Sequence, residues 1–217
     1  MNYSIDSLEM IQKRRQYWNL KLKDLVNYDD IEENYYICKM SDKDKCCNIE
    51  LNYNVFKKIE EICKGKALSE YIILLSMLNI VINKYKKVND IYICSPKYNI
   101  NEKKEENYIV FKNLILDNLT INDIFQQVKD SVIGAYSNQD ISIDNIMEEL
   151  NFSNNQKEFI KRISFSYNKI HYTSDLYSLI DIKVNKQNNK FIISIFFNDI
   201  KIARVLDGFK YILNDFV

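Results

Sequence analysis

The chain has 217 residues, of which 47% are hydrophobic, and its 30 Lys and Arg balance 30 Asp and Glu. Such a chain can bury a core and still dissolve, and its neutral balance excludes a basic field for nucleic acid and an acidic tail. Three glycines leave no room for a glycine-rich phosphate loop, and five cysteines, odd in number and without CxxC spacing, argue against zinc and against a disulfide framework. Reduced thiols in a cytoplasmic protein are the expectation. MNYSIDSLEM has no charged start followed by an apolar run, so no signal peptide is read there.

Asp6 to Lys23 has helical spacing, with Leu8, Ile11, Arg15, Trp18 and Leu22 on one stripe. Residues 26 to 45 are polar and irregular, an extended connection with one short strand expected at Tyr35 to Cys38. Cys47 to Leu51 alternates as a strand does. Asn54 to Cys63 reads as an amphipathic helix with Val55, Ile59 and Ile62 on its apolar face, and Gly65 stops it. Ser69 is the expected cap of a long helix reaching Tyr85, apolar nearly all round and therefore buried on most sides. Its core, Tyr71 to Ile82, falls short of the roughly 20 residues of a membrane span.

Asp90 to Cys94 is a short apolar strand ended by Ser95 and the only proline, Pro96, and Asn99 to Asn107 is a charged solvated loop. Tyr108 to Leu116 is the next strand. Thr120 with Asp123 opens a helix as a capping box, with Ile124, Phe125, Val128, Val132 and Ala135 on its buried face. Ser142 is the expected cap of a short helix, Ile143 to Leu150. Three strands follow, Ile160 to Tyr167, Leu179 to Val184 and Phe191 to Phe197. The last, FIISIFF, lacks polar alternation and is expected to be central, buried on both faces. Ile202 to Val217 closes the chain as an amphipathic helix. The pattern predicts one α/β layered domain with a mixed sheet over 1–217: a first helix to 26, a connection over 27–45 and a lobe core over 46–217.

Local chemistry is sparse. The single histidine, His171, lies four residues before Asp175, an HxxxD spacing that resembles the skeleton of several acyltransferase sites. Leu176 stands where those sites carry glycine, and a polar loop between strands makes an exposed histidine the plainer reading. Glu60–Glu61 and Glu148–Glu149 read as solvated helix faces, and the cysteines as packing residues.

The order of segments resembles the C-terminal lobe of a condensation domain from nonribosomal peptide synthetases. Tyr17-Trp18 with Leu22 is similar to the YW..L segment at the passage between lobes. Asp90 to Asn99, DIYICSPKYN, resembles the family's D-I-V-V-G-T-P-V-A-G-R stretch, with Pro96 in the family's place. NYIVFKN keeps Phe111 and Asn113 of I-G-x-F-V-N-T. NQDISID keeps Asn138, Gln139 and Asp140 of the (H/N)-Q-D-x-P-F-E motif, and Ile163 to Asn168, ISFSYN, resembles V-M-F-S-Y-Q-N.

The resemblance implies a chloramphenicol acetyltransferase-like two-layer sandwich, a mixed sheet covered by helices. It implies no catalytic residue here, because the family's HHxxxDG belongs to the other lobe. The matching place in this chain, Phe196 to Ile202, carries Phe at both histidine positions. It further implies a role in amide formation between carrier-bound thioesters, with no bound cofactor and with the phosphopantetheine arm of a peptidyl carrier protein delivering substrate. Asn113 and Tyr167 would line the tunnel between lobes, and Gln139 and Asp140 would clamp nearby backbone. The partners implied are an N-terminal lobe carrying HHxxxDG and carrier proteins, with self-association of the isolated lobe, no nucleic acid and no membrane. Two other readings stay open: a non-catalytic carrier-binding module, and a small CoA- or carrier-dependent acyltransferase using His171.

Overall fold

The computed structural model describes residues 5–27, 45–98, 108–172, 176, 178–197 and 211. The expected strand at Tyr35 to Cys38, the loop Asn99 to Asn107 and, apart from Tyr211, the closing helix from Ile202 lie outside the described residues, as does Asp175.

Six strands form one mixed sheet in the order β1-β6-β5-β4-β2-β3: β1 (Lys45–Glu50), β2 (Asp90–Pro96), β3 (Tyr108–Leu114), β4 (Ile163–Tyr167), β5 (Ile180–Gln187) and β6 (Lys190–Phe197). β2, β4 and β5 run parallel; β3, β6 and β1 pair antiparallel with their neighbours. The helices are α1 (Ile5–Leu22), α2 (Tyr53–Cys63), α3 (Ala67–Lys86), α4 (Ile121–Ser137), α5 (Ile143–Glu149) and α6 (Asn154–Ile160). This is the predicted α/β sandwich with a mixed sheet.

Strand alternation sorts the side chains into two layers. Phe111 of β3 and Phe165 of β4 point to one face, where each packs its ring on Tyr71 of α3. Tyr92, Cys94, Tyr108 and Lys112 point to the other. There Tyr92 stacks on Phe159 of α6, Tyr108 donates to Asp144 of α5, and Lys112 reaches Asp24 just past α1.

Several elements differ from expectation for identifiable reasons. α3 starts at Ala67, not after Ser69, because Lys64 and Gly65 both turn left-handed (φ 50° and 68°) and restart the helix at once. It runs 20 residues, and its Ala67–Lys84 window is apolar enough to cross a membrane, but 61% of that window is buried against the rest of the chain. β2 continues through Ser95 and Pro96, with Pro96 opposite Tyr108. On α2, Ile62 is exposed, while Phe56 and Cys63 fill the core side. The α1 stripe is buried only from Trp18 onward, and Leu8 is exposed.

β6 lies one place from the sheet edge. Phe191, Ile193, Ile195 and Phe197 are buried, but Ile192, Ser194 and Phe196 are half-exposed. Burial on both faces falls instead to β2 and β4, where Ile91 to Pro96 and Ser164 to Tyr167 are all buried. α6 is absent from the sequence expectation. Ser153 and Gln156 close a capping box on it, the same device as Thr120 with Asp123 on α4.

Candidate functional site

Three of the five family-like segments, far apart in sequence, meet at the C-terminal end of α4: Tyr17-Trp18, the end of DIYICSPKYN and the Asn-Gln-Asp turn. Gln139 accepts from the Tyr98 backbone N–H at 2.7 Å and donates to the Tyr98 carbonyl at 3.3 Å. Its amide thus pairs with the chain just past β2 as a neighbouring strand would. Asn138 caps α4 by donating to the Gly134 carbonyl at 2.8 Å, and its own carbonyl accepts the Trp18 indole N–H at 2.9 Å. Asp140 pairs with Arg14 of α1 at 2.7 Å. The Asn-Gln-Asp turn therefore holds α1, α4 and the end of β2 together, each through a different side chain. Close approach of α1 to α4 needs Gly134: a Cβ there would sit 2.7 Å from the Tyr17 hydroxyl. Asp90 and Pro96 stand at the two ends of β2, and Phe111 sits at the centre of β3, fully buried.

His171 is buried, contrary to the exposed-loop expectation, at 7% exposure. The turn after β4 folds back, and the Tyr167 backbone N–H donates to His171 Nδ1 at 2.9 Å. That bond places the ring proton on Nε2, which faces the Tyr136 hydroxyl at 2.8 Å and Ser95 Oγ at 3.4 Å. Tyr71 meets the ring edge-on at 5.2 Å. Burial pulls the His171 pKa down to about 3, since the imidazolium would lose its water without gaining a carboxylate. The ring is held neutral, with its one lone pair already engaged.

Asn113 and Tyr167, expected to line the tunnel between lobes, are both buried within this lobe. Both lie on the strand face covered by α3. Asn113 donates to Asn79 of α3 at 3.2 Å, and its Oδ1 is buried without a partner. Tyr167, fully buried, donates to Glu70 of α3 and tilts against Phe191. Lys186 of β5 completes that cluster, 2.6 Å from Glu70 and 2.7 Å from Glu60. Sequence reasoning missed this group; the signal was Glu70, a lone acid in the first turn of an otherwise apolar helix.

A second buried polar group joins Asp181 of β5 to the hydroxyls of Ser164 and Ser178, which both donate to it. Among the described residues, no group of His, Cys, Asp and Glu is suited to a metal ion. A cleft of about 430 Å³ lies between α1, β3 and α4, lined by Lys21, Asp24, Lys112 and Asp130 among others. Lys112 and Asp24 pair across it at 2.8 Å.

The fold is that of one lobe of a condensation domain. Solved structures of condensation, cyclization and epimerization domains all share it. No family model matches the chain. In sequence it is similar to bacitracin synthase 1 of Bacillus licheniformis, 21% identical over 177 residues, covering 77% of this chain and 3% of that one. The chain thus spans a few per cent of the length of the curated relatives it matches.

In structure it is similar to the first condensation domain of the calcium-dependent antibiotic synthetase, with a TM-score of 0.64 and 9% identity, covering 95% of this chain and 53% of that one. The X-domain in complex with OxyB from teicoplanin biosynthesis superposes with a TM-score of 0.66 and 10% identity, covering 95% and 52%. The relatives are nonribosomal peptide synthetases, and the chain accounts for about half of a condensation-type domain.

Proposed function

We propose that the chain is the C-terminal half of a condensation domain, working in the cytoplasm in amide formation between carrier-bound aminoacyl or peptidyl thioesters. The observation that carries the reading is the cover of 95% of this chain by about half of a condensation domain, together with three family-like segments meeting around Gln139. The whole of 1–217 then acts as one lobe. A partner lobe carrying HHxxxDG supplies the proton-transferring histidine, and peptidyl carrier proteins deliver both substrates on phosphopantetheine arms. Rate enhancement in such a division of labour comes from holding two reactants in line. This chain contributes one wall of the channel, with α1, α4 and the end of β2 fastened by the Asn-Gln-Asp turn.

The acyltransferase reading through His171 is disfavoured by its geometry. A general base needs a free lone pair within reach of the nucleophile, and the Nδ1 lone pair is taken by the Tyr167 N–H. The binding-module reading keeps one specific support, the X-domain, a structure of this fold solved in complex with another protein.

The test is reconstitution. The chain is mixed with an N-terminal lobe carrying HHxxxDG and with carriers loaded with aminoacyl thioesters. Amide product that requires both polypeptides is the expected result. Binding of carrier without product selects the module, and thioester turnover by this chain alone overturns both.

A further inference from the structure

We propose that the sheet is jointed between β2 and β4, and that buried side chains led by the Tyr71 hydroxyl hold the joint closed in place of a backbone ladder. The ladder between these strands has a single pair, Cys94 with Ser164. On the other side of β4 the parallel ladder runs from Ile163–Ile180 to Tyr167–Val184, and on the other side of β2 the antiparallel ladder runs from Asp90–Leu114 to Pro96–Tyr108. The joint is also where the topology changes direction. Past its carboxyl end, β2 leads to β3 on one side, and β4 leads to β5 on the other.

Side chains fill the gap. Tyr71, rising from α3, donates to the Phe165 carbonyl of β4 at 3.4 Å and lies 2.8 Å from Ser95 Oγ of β2. One phenol hydroxyl thus touches both strands. His171, just past β4, adds its Nε2–H toward Ser95 at 3.4 Å. These are neutral hydrogen bonds, each of modest net worth. An extended ladder gains cooperativity that isolated bonds lack, so opening at the seam is a sub-global event, reached before either flanking ladder breaks. The lobe then consists of two plates, β3-β2 with α4 and β4-β5-β6-β1 with α2. α3 spans both plates, through Asn79 on Asn113 and Glu70 on Tyr167, so tilting at the seam is limited to what these contacts allow, while every antiparallel pair stays intact.

Residue-resolved hydrogen exchange on the full chain tests this. Along β2 and β4, amides alternate between facing the seam and facing β3 or β5. The seam-facing amides are expected to exchange roughly tenfold faster than their neighbours, with weaker dependence on added denaturant. One common rate on both sides of β4 would overturn the joint. Tyr71→Phe removes the bridging hydroxyl and keeps the ring. It should quicken the seam-facing amides about five- to tenfold and leave β5 and β6 unchanged. A uniform change across the sheet, or none, counts against the role of Tyr71. Should that variant fail to fold, the alternation in the parent chain decides the question alone.

Discussion

The two ends of the sheet are held by different means. Both ends carry long ladders, but at the β5-β6-β1 end an aromatic cluster adds to them: Phe56 and Phe191 pack at 5.2 Å, with Lys186 laid over both rings and its charge satisfied by Glu60 and Glu70. At the β2-β3 end, single side chains fasten backbone to backbone: Gln139 to Tyr98, Asn83 to the Ile115 carbonyl, and Trp18 to Asn138. The first end resists through area removed from water, which any similar apolar set would supply. The second depends on particular amides in particular places. Motif-like residues accordingly gather at the second end, while the first reads only as hydrophobic strand.

The comparison can be broken most forcefully at the apolar end. Phe191→Ala should cost about 3–5 kcal/mol in urea denaturation, because a fully buried ring leaves a cavity. Lys186→Met should cost about 3 kcal/mol by abandoning the buried Glu70 carboxylate, and adding Glu70→Gln should recover most of it. If the double variant stays as unstable as the single, the charge pair is not what Lys186 contributes.

At the other end the losses are smaller and local. Gln139→Ala should lower stability by about 1–2 kcal/mol, two part-buried bonds to the backbone of one residue, and exchange at the Tyr98 amide should rise selectively. Arg14→Ala removes a pair whose Asp140 is more than half exposed, so a change below about 0.5 kcal/mol is expected.

Acid sharpens the contrast in a different way. His171 has a folded pKa of about 3 against 6.5 when free. Between these values the unfolded chain binds a proton that the folded chain refuses. Stability from this group is therefore intact above pH 6.5 and falls by up to about 1.4 kcal/mol per pH unit as pH drops toward 3. The stability of a His171→Phe variant, followed over the same window, should be flatter; an identical slope would mean that the ring does not stay neutral when folded.

Much of the architecture was legible because it rests on local signals. Thr120 and Asp123 announced α4, and Ser142 announced α5. α6 carries an equally clear signal in Ser153 and Gln156, yet NNQKEFI has too few apolar residues to show a helical stripe. Its anchoring is tertiary, through Phe159 on Tyr92 and Gln156 on the Leu25 carbonyl. The candidate site was legible by order of segments rather than by chemistry. Burial of His171 was not, since it follows from a backbone turn that brings Tyr167 and His171 together and from Tyr136, 35 residues away in sequence. Which sheet face Asn113 and Tyr167 take was not legible for a related reason. Alternation fixes that neighbours oppose one another, and only the position of α3 fixes which set is inside.

The grip of Gln139 on Tyr98 has a consequence for how such a lobe can vary. An amide that recognises only the backbone N–H and C=O of a residue is indifferent to which side chain that residue carries. The length and composition of the segment that follows Tyr98 can therefore drift from one descendant to another while its root stays anchored at the same spot.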